Sequence, residues 1–78
     1  MSSEHPELDD LQAAYKSAVD NWIAAIRHEE AVAVAADHSL AQLDQWEKAH
    51  FDEENARTIA KAAKANYEAG LRAEFFGF

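Results

Sequence analysis

No cysteine occurs in the chain, so neither a disulfide nor a thiolate-held metal can staple it. Proline and glycine are almost as scarce: Pro6 stands alone, and Gly70 and Gly77 are the only glycines. Nothing between Pro6 and Gly70 therefore forbids helix. No apolar run approaches the roughly 20 residues that cross a bilayer. The segment Met1-Ser2-Ser3-Glu4-His5-Pro6-Glu7 has neither the basic nor the apolar region of a signal peptide. A soluble cytoplasmic protein without membrane contact is the expectation.

Positive charge is also in short supply. Fifteen acids oppose seven lysines and arginines, a net charge of −8 over 78 residues. Residues 1–39 hold eight of those acids against Lys16 and Arg27. Affinity for a nucleic-acid backbone rests on cations that neutralise phosphates, so nucleic acid is not an expected partner. Anionic membranes are disfavoured for the same reason. Acidity serves solubility first, and a basic protein partner, met by imitation of nucleic acid, is a sharper alternative.

What the chain does have is helix-forming residues: alanine, leucine, glutamate, lysine and glutamine dominate it. Acid precedes base by four residues at Asp44 and Lys48, Glu53 and Arg57, and Glu68 and Arg72, the orientation that supports a helix. Pro6 suits a first helical turn, with Glu7, Asp9 and Asp10 near the positive end of the dipole. From there Leu8, Leu11, Tyr15, Ala18, Trp22 and Ala25 recur three and four apart, which is a heptad seam. Val19, Ile23 and Ile26 widen the stripe beyond what one neighbouring helix covers.

The interruption falls at Asp37-His38-Ser39, because Ser39-Leu40-Ala41-Gln42 fits a capping box. The alternating Ala31–Ala36 stretch could be named a strand, but a single strand has nothing to pair with, so it reads as the last turns of the first helix. An unbroken helix is the rival. Its extended heptad would bury Glu29, His50, Glu53, Arg57 and Lys64, too many charges for a good seam. The predicted fold is therefore all-α, a single domain made of a long antiparallel hairpin. Helix 1 covers about 6–36, a turn 37–39, helix 2 about 40–75, and an aromatic tail 75–78.

In such a hairpin, residues whose numbers sum to about 76 share a level, given the 1.5 Å rise of both helices. Leu8 and Leu11 then face Tyr67 and the alanines around Ala63, and Tyr15 faces Ala60. A strip so rich in alanine buries little against the entropy of ordering the chain. Val19, Trp22, Ile23, Ile26, Phe51, Ile59, Phe75, Phe76 and Phe78 are the candidate interface residues. Pairing of two hairpins into a four-helix bundle homodimer is the simplest way to cover them. The tail overhangs the hairpin in this register, where it would close the core or dock on another protein.

Only one constellation has chemical potential. Glu47-Lys48-Ala49-His50 is an E-x-x-H, and the turn brings Glu29 and Glu30 to its level. Over those few positions the pattern resembles the carboxylate and histidine set of ferritin-like di-iron proteins, which implies a metal-binding dimer as an alternative. Solvated surface carboxylates are the plainer reading, so no metal and no cofactor is expected. No nucleophile stands with a base at catalytic spacing, and phosphate-binding glycine loops are absent. The expected function is non-enzymatic, through self-association and protein-protein interaction.

Overall fold

Two helices pack against each other as a hairpin in the computed structural model, which describes residues 5–34 and 38–76. Helix α1 runs Pro6–Ala33 and α2 runs Leu40–Phe76. At about 1.5 Å per residue, the 37 residues of α2 account for the 55 Å long axis of the molecule.

Helix α1 starts at Pro6 as its fixed φ favours, with Glu7 and Asp9 in the first turn. The carbonyl of His5 accepts from the amides of Leu8 and Asp9 at 3.0 and 3.1 Å, so the entry is hydrogen-bonded without a side-chain cap. The helix ends at Ala33, short of the expected residue 36. Val34 already has turn geometry, at φ −94° and ψ 4°. β-branched Val32 and Val34 extend a helix poorly, and Gln42 ends it actively. Its Nε2 donates at 2.9 Å to the carbonyl of Val32, one of the orphan acceptors of the last turn. Ala35, Ala36 and Asp37 of the predicted junction lie outside the described residues.

Ser39 opens α2. Its Oγ accepts from the amide of Gln42 at 3.1 Å, the serine half of a capping box. Of the three acid-to-base pairs expected along α2, Glu53 and Arg57 come within 3.8 Å. Asp44 with Lys48 and Glu68 with Arg72 do not close within 4.0 Å. Both pairs lie on outer surfaces where closure gains little.

The seam of α1 is the predicted one: Leu8, Leu11, Tyr15, Ala18, Trp22 and Ala25 are all buried or half-buried. Helix α2 answers with small residues. Ala49, Ala56, Ala63 and Gly70 recur every seventh residue and alternate with Trp46, Glu53, Ala60 and Tyr67. Large side chains on α1 thus enter a groove floored by alanine and glycine. The approach is closest at Gly70, where a Cβ would lie 2.7 Å from Leu11 Cδ1 and 3.1 Å from Leu8 Cδ2.

The side-chain register departs from the expected sum of 76 at the open end. Tyr15 stacks near Tyr67, with ring centroids 6.4 Å apart, rather than over Ala60. The cause is the tilt of helical side chains toward their own N-terminus. Tyr15 leans toward the open end and Tyr67 toward the turn, so these two rings meet across a larger sum. The same lean brings His5 against Phe75, rings edge to face at 5.5 Å, and puts its Nδ1 2.7 Å from Glu74. Phe75 accordingly does not hang free of the hairpin.

Burial is thin. Among the described residues Leu8, Ala18, Ala49 and Ala60 alone are buried, while Ile23, Ile26, Leu43, Trp46, Phe51, Ile59 and Phe75 are each more than two-fifths exposed. No described helix is long and apolar enough to cross a membrane.

Candidate functional site

The polar centre of the hairpin sits in the seam, where two positions that should be apolar are glutamates. Glu29 of α1 and Glu53 of α2 each meet a tryptophan from the opposite helix. Trp22 Nε1 donates to Glu53 Oε2 at 2.7 Å, and Trp46 Nε1 donates to Glu29 Oε2 at 3.3 Å. An indole is an amphipathic plug: its ring fills the seam while its N–H satisfies the carboxylate. The Glu53 side chain is thereby held at 13% exposure.

His50 joins the two helices at this level. Its Nδ1 lies 3.0 Å from Glu29 Oε2, and its Nε2 lies 3.0 Å from Glu54 Oε1 one turn along α2. The hydrogen bond to Glu29, helped by the charges of Glu29 and Glu54, raises the imidazole pKa above its usual 6.5 although desolvation opposes this. Arg57 completes the row, 3.8 Å from both Glu53 and Glu54. The arrangement is an alternating line of carboxylates and cations across and along the helices.

One donor atom each from Glu29, His50 and Glu53 falls within 4.8 Å of the others, a set with the composition of a divalent-metal site. Of the four residues that the E-x-x-H reading offered, Glu29 and His50 fall in this donor set. Glu47 lines the open groove beside Glu29, Leu43, Trp46 and His50 but is not in the donor set. Glu30 is exposed and outside that set too. The reason is angular. Glu47, three before His50, lies on the flank of α2 at the edge of this groove, whereas Glu53, seven after Trp46, stays in the seam.

Glu53, Glu54 and the pairing of both tryptophans were not among the features expected at this site. A signal for them exists in the sequence. Asp20-Asn21-Trp22-x-x-Ala25-x-x-x-Glu29-Glu30 recurs on α2 as Asp44-Gln45-Trp46-x-x-Ala49-x-x-x-Glu53-Glu54. Two copies of one pattern in an antiparallel pair create a local two-fold relation. Each tryptophan then falls opposite the other copy's first glutamate, which is the reciprocal clasp observed.

The candidate interface residues do not share one surface. Trp22 is half-buried in the seam. Val19, Ile23 and Ile26, spaced four and three apart, form one stripe on the flank of α1, the flank where Leu43 and Trp46 of α2 also lie. Phe51 points away from α1 on the outer face of α2, 67% exposed, and Ile59 lies on the opposite flank. Phe75 is at the open end, and the side chain of Phe76 and the whole of Phe78 lie outside the described residues.

No protein-family model matches the chain, and no match is found among the curated proteins or the solved structures.

Proposed function

We propose that this chain is a non-enzymatic interaction protein that works as a self-associating helical hairpin. The observation that carries the reading is the imbalance between its core and its surface. Among the described residues four are buried, three of them alanine, while Ile23, Ile26, Leu43, Trp46, Phe51 and Ile59 are exposed. A compact monomer of 8.7 kDa exposes about 4,700 Å², whereas this chain exposes 6004 Å². The surplus of about 1,300 Å² exceeds the roughly 800 Å² that each partner contributes to a standard interface. Pairing two hairpins into a four-helix bundle removes that surplus by the same packing that made the hairpin. Sedimentation velocity at micromolar concentration should return twice the chain mass. A cooperatively melting monomer across the accessible concentration range would refute the reading.

A second reading, divalent-metal binding, is favoured by one observation: the convergence of Glu29, His50 and Glu53 from both helices. Trp22 and Trp46 contact the two carboxylates, so indole fluorescence reports occupancy. Titration of chelator-treated protein with zinc should then change emission in proportion to one ion per chain, and His50→Ala should abolish the change. Emission that ignores zinc at millimolar levels ends this reading and leaves the row as an ion-pair network.

A further inference from the structure

We infer that the flank bearing Val19, Ile23, Ile26, Leu43 and Trp46 packs against the same flank of a second copy, the two running antiparallel about a two-fold axis near Ile23. The inference rests on the reading of the chain as self-associating and assigns it a surface and a geometry.

Three observations select this flank. Its apolar residues share one exposure: Ile23, Ile26, Leu43 and Trp46 are each between 41% and 45% exposed, and Leu43 and Trp46 line a groove with Glu29, Glu47 and His50. The opposite flank of α1 offers Ala14, Ser17, Asn21, Ala24 and His28, with Ile59 its one large apolar residue on α2. Helical spacing also places Lys16, Arg57, Lys61 and Lys64 on the chosen flank, four of the seven lysines and arginines of a chain that is acidic elsewhere.

Charge along the flank is polarised. Toward the turn lie Glu30 and Glu47; Glu54 follows; beyond Val19 come Lys61 and Lys64, together with Lys16, which has Asp9 and Asp20 beside it and is paired with Asp20 at 2.8 Å. Copies placed parallel would set acid on acid and base on base. Copies placed antiparallel, α1 over α1 and α2 over α2, set Glu47 of one hairpin against Lys61 and Lys64 of the other and Glu30 against Lys16. Ile23 lies between the two halves, so it falls at the axis and meets itself, while Ile26 meets Val19 of the second copy. Such a surface is self-complementary in the sense a two-fold interface requires. Charges at its centre enter already paired, Glu29 and Glu54 by His50 and Glu54 also by Arg57, so closure strands no isolated ion.

The test uses the full chain and the absence of native cysteine. A residue on a two-fold axis lies beside its own copy, within the Cα separation a disulfide spans. Ile23→Cys under mild oxidation should therefore link most chains into dimers, while Phe51→Cys, on the outer face, should link few. Ile23→Asp should raise the dimer dissociation constant at least about tenfold with helicity unchanged, since it buries a charge at the centre. Glu47→Lys should weaken the dimer, and adding Lys64→Glu should restore it. If the wild type dimerises while Phe51→Cys links as readily as Ile23→Cys, or Ile23→Asp dimerises as tightly, this surface is wrong and self-association stands. If the wild type never dimerises, both fall.

Discussion

At Gly70 two residue-level effects oppose each other. Replacing a mid-helix glycine by alanine ordinarily gains about 1 kcal/mol of helix propensity. Here the new methyl would press on Leu11 Cδ1 and Leu8 Cδ2 at the tightest point of the seam, and overpacking costs about 1–3 kcal/mol. Gly70→Ala should therefore yield no gain in urea unfolding, and Gly70→Val a loss of about 2 kcal/mol or more. Ala69→Gly, one position round on an exposed surface, should lose about 1 kcal/mol and calibrate the propensity term. The tryptophans can be ranked in the same way. Trp22→Phe removes a 2.7 Å donor from a glutamate that is largely shielded from water, which should cost about 1–2 kcal/mol. Trp46→Phe removes a 3.3 Å bond at an exposed ring and should cost less. The sequence marked Trp22 as a seam residue, but not which carboxylate it serves. That depends on the level at which the helices meet, and a heptad pattern leaves levels undetermined.

At the scale of the elements, the legible parts were those governed by local chemistry. Pro6, the seam of α1, the serine cap at residue 39 and the helical character of both arms follow from propensity, periodicity and capping. The end of α1 was not legible, because it is set by a side chain from the other helix, Gln42 on the Val32 carbonyl. Nor was the full membership of the polar row: the E-x-x-H and the turn suggested Glu47, Glu29 and Glu30 with His50, and the packing keeps Glu29 beside His50 and adds Glu53 and Glu54. Histidine links the two arms at two levels: His50 meets Glu29 at the polar centre, and His5 meets Glu74 at the open end. For His50 the sign can be worked out. Its folded pKa is raised, so its contribution to stability is fully present below the unfolded value near 6.5 and is lost as pH rises through the higher folded value. The wild-type melting temperature should accordingly exceed that of His50→Gln by more at pH 6 than at pH 8.5. A difference that is flat or reversed across that window would show that the contact with Glu29 does not hold the helices together.

For the whole molecule, the chain's length and composition set the problem that association would solve. Two helices provide one seam, and one seam of alanine and glycine opposite a few large residues leaves a rod 55 Å long whose apolar flank has no cover. Its charge works against any second copy, since each chain carries −8. The two electrostatic terms differ in range. Net repulsion acts between whole rods, and the Debye length of about 30 Å at 0.01 M salt spans much of that distance, whereas about 8 Å at 0.15 M does not. Contacts such as Glu47 with Lys64 of the second copy would be short and partly desolvated, and salt screens them less. Raising salt from 0.01 to 0.15 M should therefore tighten the wild-type dimer. Substituting Lys61→Glu with Lys64→Glu makes both terms repulsive, so that variant should dissociate most at low salt and recover in part at 0.15 M. Sedimentation equilibrium at the two salt concentrations measures both. A wild-type dimer that instead loosens steadily with salt would mean that polar pairs, not the Val19, Ile23 and Ile26 stripe, supply its affinity.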